Sequence, residues 1–315
     1  MVEGFAAAIA AAAVWAVSGA VIAHQARFVD PFSISFLRAI WAGIFLIAAV
    51  FVLGVEGDFG RMSASDVAQL IGAGFLSTAV AETLYAITIP LFGFTRTYTT
   101  ATASAVLTAY LFGLLFIGDT LTVLVGVGSV VVLAGVYTVV IYGKPRRHAG
   151  GGEEEAVRVA PAVAPPGLLL RYAFAAGLVL AVVTGMAWGG VSVWLRSVAE
   201  GFDPAAAGVV RMPVVLPVLA LLAGMQSRSS LRRRAISRRS FVWLALSGAL
   251  GTGLVILLII TALQRIGAGE FTVLFNTGPV FGIALGVIFL RERITPWALI
   301  GALLVLGGIA MIAMR

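Results

Sequence analysis

Arg38, Glu82 and Arg211 each stand inside a long apolar stretch, and an ionisable side chain at membrane depth is costly enough to be a functional candidate by default. Arg38 and Arg211 lie seven residues beyond Pro31 and Pro204 respectively, about 10 Å along a helix at the standard rise. A guanidinium at that depth can hold an anionic group of a substrate; alternatively it snorkels, or pairs with a carbonyl or carboxylate. Glu82 is suited to carry a coupling proton, or else to form a buried Arg38–Glu82 pair that only fastens helices. Thr78, Glu82 and Tyr85 fall at i, i+4 and i+7, so one helix face could line an aqueous cavity. Trp15 and Trp188 are flat aromatic surfaces that would wall such a cavity against organic substrates, unless they serve core packing alone. Tyr98 and Tyr110 could add hydroxyls. Asn276, Thr277, Gly278 and Pro279 mark a broken or kinked helix, because Pro removes a backbone donor and frees carbonyls that can face a cavity or simply accommodate packing. The two histidines, His24 and His148, stand apart, Cys is absent, and no metal-ligand spacing occurs. Neither a catalytic centre nor a metal or other cofactor is expected.

The elements that position these residues are set by composition. Of 315 residues, 61% are hydrophobic and 11% charged, with mean hydropathy +1.07, well beyond a globular average. Ten segments, at 4–24, 31–54, 67–90, 97–117, 122–142, 171–195, 204–225, 240–263, 270–290 and 296–314, approach or exceed the roughly 20 residues that cross a bilayer as a helix. They are apolar all round instead of alternating, which argues for helices over a β-barrel. An all-α integral membrane protein of ten transmembrane helices is therefore expected. The start, Met1-Val2-Glu3, lacks the basic n-region of a signal peptide. The net charge of +7 reads as cytoplasmic loop charge, with the lipid bilayer as partner and no nucleic acid.

An internal repeat organises the ten segments. Adding 173 carries Trp15 to Trp188, Asp30-Pro31 to Asp203-Pro204, Arg38 to Arg211, Gly128 to Gly301 and Gly135 to Gly308. The chain divides into a first five-helix repeat at 1–142, a polar linker at 143–170 and a second five-helix repeat at 171–315. Units with an odd number of spans enter the membrane from opposite sides, so the repeats should be inverted. Loop charge agrees: Glu56, Asp58 and Asp66 accompany Arg61 in one loop, whereas its mate carries Arg228, Arg232, Arg233, Arg234, Arg238 and Arg239. Of 21 Lys and Arg, two lie within spans and four (Arg61, Arg196, Arg265, Arg315) on one face, leaving 15 on the face of the linker and the Arg-rich loop 226–239. That face should be cytoplasmic, with both termini outside. Small residues recur at Gly278, Gly282 and Gly286, and at the mates Ala105, Ala109 and Gly113; such faces allow close helix contact and are expected between the repeats. Glu82 has no acidic mate, since Val255 takes its place.

The stretch from Leu258 to Thr295, LIITALQRIGAGEFTVLFNTGPVFGIALGVIFLRERIT, resembles the end of an EamA-type repeat of the drug/metabolite transporter superfamily. The features in common are a polar-Pro break, small residues after it, an acid beside Arg, and a Thr opening the last helix. DPFSISFLRA in the first half extends the likeness, while Val106 in place of Pro279, and Gly118-Asp119 in place of Arg291-Glu292, depart from it. The resemblance implies a ten-span exporter or importer of amino acids, other small metabolites or drugs, and cytoplasmic termini, against the charge count. The expectation is thus a secondary transporter of a small organic metabolite, possible as monomer or homodimer, with an intramembrane lipid enzyme or a non-transporting scaffold or sensor as rivals. Its substrate-binding residues are expected to be Trp15, Arg38, Tyr85, Trp188, Arg211 and Asn276, with Glu82 the proton carrier.

Overall fold

The computed structural model describes residues 2–113, Leu115, 122–142, 172–199, 201–229, 236–266, six positions between Phe271 and Leu285, and 295–313. Among these the secondary structure is helical throughout. The helices are α1 (Val2–Gln25), α2 (Pro31–Leu53), α3 (Ala64–Phe92), α4 (Phe94–Phe112), α5 (Val123–Tyr142), α6 (Ala173–Ala199), α7 (Pro204–Val210 and Met212–Ser229), α8 (Arg238–Arg265) and α9 (Pro296–Ala313). The linker 143–170, Asn276 with Thr277 and Pro279, and most of the segment expected at 270–290 lie outside the described residues.

α1, α2, α3, α6 and α8 are long and apolar enough to cross a membrane, and α7 makes a sixth if its two segments, bent by 42°, form one span. α5 and α9 contain shorter apolar stretches, Val123–Val139 and Pro296–Met311, and α4 is rich in Thr over its first half. Among the described residues five or six spans are therefore evident by length and composition, where ten were expected of the whole chain. Large apolar side chains such as Ile44, Ile47 and Phe51 stand exposed along the outside of α2, as in a multi-pass protein surrounded by lipid.

Local chemistry explains the repeat. Asp30 caps α2 by accepting from the Ser33 N–H at 2.9 Å, with Pro31 in the first turn; Asp203 caps α7 from the Ala205 N–H at 2.8 Å, with Pro204 placed likewise. The duplicated Asp-Pro pair is thus an N-cap followed by a residue whose missing N–H costs nothing there. α2 then runs unbroken to Gly54, whose φ of 65° closes the helix in a conformation other residues rarely adopt. α7 bends at Arg211, where Pro213 removes a donor from the ladder. Ile40 stands where Pro213 stands, so the equivalent helix stays straight.

One contact bears on how the two repeats are related. A Cβ built on Gly308 would lie 2.6 Å from the Gly128 carbonyl oxygen, and one on Gly301 would lie 2.7 Å from that of Gly135. Because 128 and 135 are the mates of 301 and 308, this contact between α5 and α9 is reciprocal and antiparallel, the mark of a two-fold axis. The face of Ala105 and Ala109 joins the repeats by packing on Gly189 of α6, with Ala101 and Ser104 against Gly185; Gly278 is the described member of the equivalent small-residue face in the second repeat. Gly282 and Gly286 of that face lie outside the described residues.

The backbone contact at Gly308 leaves no room for a side chain, whereas nothing lies within 4 Å of a Cβ on Gly307. Gly308→Val should therefore cost about 1–3 kcal/mol by overpacking, seen as a lower thermal midpoint in detergent. Gly307→Ala should stabilise by about 0.5–1 kcal/mol through helix propensity. Equal midpoints for the two variants would contradict the close packing.

Candidate functional site

Two helix crossings build the site. α2 crosses α8, and α7 crosses α3, with a glycine at each crossing. The space for a Cβ on Gly248 is taken by the backbone of Arg38, and that on Gly74 by the backbone of Arg211. Both crossing helices widen there into π turns, Phe75–Glu82 in α3 and Ala249–Leu254 in α8, equivalent segments under the 173-residue offset. Such turns frequently mark functional sites, because they break the regular bonding ladder. At the α3 turn the Ser77 carbonyl accepts from the Trp188 indole N–H at 3.3 Å.

The two arginines, equivalent in sequence, have unequal surroundings. Arg38 is 1% exposed and bonds through four of the five N–H donors a guanidinium has. Nη1 donates to Glu82 Oε2 at 2.7 Å, Nη2 to Ser18 Oγ and Thr252 Oγ1 at 2.9 Å each, and Nε to Ser247 Oγ at 3.1 Å. Ser18 and Ser247 are themselves linked at 2.8 Å, and Thr252 Oγ1 reaches Glu82 Oε2 at 3.3 Å. Arg211, 4% exposed, donates to Ser77 Oγ at 2.6 Å, and its Nε has no partner among the described residues. No carboxylate lies within ion-pair distance of it among those residues, although Glu82 is within electrostatic reach. Among the described residues one buried cation has an ion-pair partner and the other has none.

Arg211 and Glu82 line a cavity of about 140 Å³, together with Trp15, Trp188, Ser77 and Thr252. Arg38 sits behind Glu82, outside the lining, and its guanidinium lies 5.9 Å from the Trp15 ring centroid. The Trp15 and Trp188 rings meet edge to face, with centroids 5.3 Å apart, and Tyr85 packs 5.4 Å from Trp188. Tyr85 is fully buried and stands behind the tryptophans instead of on the cavity wall. Thr78 and Glu82 do face the cavity together; both lie within the π turn and Tyr85 follows it in regular α-helix, so the three do not keep the spacing of one continuous α-helix. The structure thus gathers Trp15, Glu82, Trp188 and Arg211 at one cavity, with Arg38 and Tyr85 as a second layer. Sequence reasoning missed Ser18, Ser77, Ser247 and Thr252, whose hydroxyls are unremarkable in a helix until a guanidinium faces them. It also missed the bend at Arg211, for which Met212-Pro213 was a legible signal.

The two arginines should differ in stability experiments. Arg38→Gln leaves the Glu82 carboxylate buried without its cation, and breaking such a pair costs about 3–5 kcal/mol. Arg211→Gln removes a cation that has no counter-ion, and should be neutral or stabilising. Thermal unfolding of both variants in detergent checks this, and equal losses would show that Arg211 is as firmly paired as Arg38.

Three comparisons bear on identity. The family described as EamA-like transporter matches residues 2–141 and again 175–314. A protein of Streptantibioticus cattleyicolor, named as a probable terminal-alkyne amino-acid exporter, is 33% identical over 137 residues. That alignment spans 43% of each chain, so this chain covers less than half of that relative. One solved crystal structure, 19% identical, superposes with a TM-score of 0.66 over 99% of this chain and 96% of its own; it shares the fold. With one family match on each half and almost nothing left over outside the segment between them, the chain belongs to the EamA-like transporter family.

Proposed function

We propose that this chain moves a small organic metabolite carrying a carboxylate, of the amino-acid type, across the membrane as a ten-helix secondary transporter working by alternating access. The observation that carries this reading is Arg211, a buried guanidinium on a cavity wall with a single hydrogen bond and no carboxylate partner among the described residues. Burying an unpaired charge is strongly unfavourable, so a ligand carboxylate at this place would supply what the protein omits. The match to a relative named as an amino-acid exporter supports the substrate class. Inverted repeats meeting at a midplane cavity are the usual frame of alternating access.

In this reading Trp15 and Trp188 wall the substrate, and Ser77 orients the Arg211 guanidinium. Glu82 is placed to exchange a coupling proton, since it touches the cavity on one side and Arg38 on the other. Protonation would release Arg38 from its pair, so proton binding and helix rearrangement would be linked. Arg38 and Tyr85 act through their neighbours, and Asn276 belongs to the expected break of the segment preceding α9. The linker and the Arg-rich loop are assigned to the cytoplasm on charge.

Flux in liposomes tests the proposal. The purified chain should move at least one member of a panel of amino acids and related carboxylates, and a folded protein that moves none would refute transport. Arg211→Gln should weaken substrate binding by about tenfold or more, the loss expected of a charged hydrogen bond worth about 1.5–3 kcal/mol. Glu82→Gln should abolish uptake driven by a pH gradient while leaving substrate exchange at equal pH; unchanged pH-driven uptake would remove Glu82 from the coupling role.

A further inference from the structure

The cavity is polarised along its length. Glu82, Arg211, Ser77 and Thr252 form one end. From there, α8 presents Val255, Ile256 and Ile259 to the cavity and α6 presents Val191, Ser192 and Leu195, the Ser192 hydroxyl being spent on the Trp188 carbonyl at 2.8 Å. Ile259 lies seven residues past Thr252, about 10 Å along the helix. Phe271 and Phe275, stacked 5.3 Å apart, line the same apolar part. Beyond it, Gln264 of α8 donates to the Ala199 and Phe202 carbonyls at the end of α6, at 3.0 and 2.9 Å. An apolar compartment about 10 Å long therefore adjoins a guanidinium that has no ion-pair partner among the described residues.

Charge sets the other condition on the ligand. Arg38, Arg211 and Glu82 together carry one excess positive charge, which an anion would cancel and a zwitterion would leave in place. Glu82 is also poorly placed to receive a ligand ammonium. Its Oε2 already accepts from Arg38 at 2.7 Å and from Thr252 at 3.3 Å, and Thr252 stands 3.5 Å from Oε1. An ammonium would be a second cation on a carboxylate that Arg38 already neutralises, with Oε1 the oxygen open to it.

We infer that the site takes monocarboxylates with an apolar tail and does not require an α-ammonium group: the carboxylate sits on Arg211 and the tail lies along Ile256, Ile259, Leu195 and Phe275. This rests on Arg211 as the carboxylate anchor, and adds the tail compartment and the dispensable amine. Such a site separates ligands by tail length and net charge before it separates amino acids from their deaminated counterparts.

Calorimetric titration of the full chain in detergent with hexanoate, norleucine, acetate and hexylamine tests it. Hexanoate should bind at least as tightly as norleucine, acetate about tenfold or more weakly for want of a tail, and hexylamine not at all. Ile259→Thr should weaken hexanoate several-fold while leaving acetate unchanged. If norleucine binds and hexanoate is more than tenfold weaker, the amine is required and the inference falls. If Ile259→Thr weakens both acids equally, or acetate matches hexanoate, the tail compartment falls. Arg211→Gln distinguishes these failures from that of the anchor: norleucine binding lost in that variant leaves the anchor standing, whereas binding unchanged in it, or neither acid binding the folded wild type, removes the anchor as well.

Discussion

Two guanidiniums and one carboxylate have to be kept away from water inside a helical, largely apolar protein, and much of the architecture around the cavity answers to that demand. A desolvated ion is tolerable only with a counter-ion and with its remaining hydrogen-bonding groups filled. Around Arg38, Glu82 is the counter-ion and three hydroxyls drawn from α1 and α8 take three of the four remaining donors. These bonds tie three consecutive helices, α1, α2 and α3, to α8 of the other repeat. The glycine at 248 follows from the same need, because α8 must come into backbone contact with α2 for its hydroxyls to reach the guanidinium.

The asymmetry between the halves then becomes intelligible. Duplication supplies two arginines and two π turns, and a glycine lies at each crossing, but among the described residues the crossings hold one acid. A symmetric scaffold with symmetric charge would have no reason to favour a ligand. Withholding the second carboxylate creates an electrostatic vacancy at one crossing while the other stays locked. Arg211 also stands at a bend that Pro213 imposes on α7, so the unneutralised cation occurs where the helix is irregular, and the paired one where the helix is continuous.

How much of this was legible in the sequence varied with the physics involved. Apolar length and the 173-residue offset announced helices and duplication, because both depend on local composition and on rare residue types held in one register. Trp15, Glu82, Trp188 and Arg211 were recognisable for a similar reason: such side chains are conspicuous in an apolar helix. Ser18, Ser77, Ser247 and Thr252 were not, since a hydroxyl can satisfy itself on its own helix, as Thr88 does on the Leu84 carbonyl at 2.7 Å, and only tertiary placement turns it toward an arginine. Tyr85 was assigned to the cavity wall from regular helical spacing, and the π turn invalidated that spacing. The unequal roles of Arg38 and Arg211 were likewise hidden, because pairing is decided by which helix comes near.

The seam between α5 and α9 has a consequence for how the molecule can change through descent. Gly128 and Gly135 face Gly308 and Gly301, the copies of one another's ancestral positions, and the room each lacks is filled by the other's backbone. Once duplicated, these two stretches ceased to be independent texts. A bulkier residue in either copy obstructs the other half as surely as its own, so the halves are free to diverge around the cavity, where difference is useful, yet remain bound to a common inheritance along the axis that joins them.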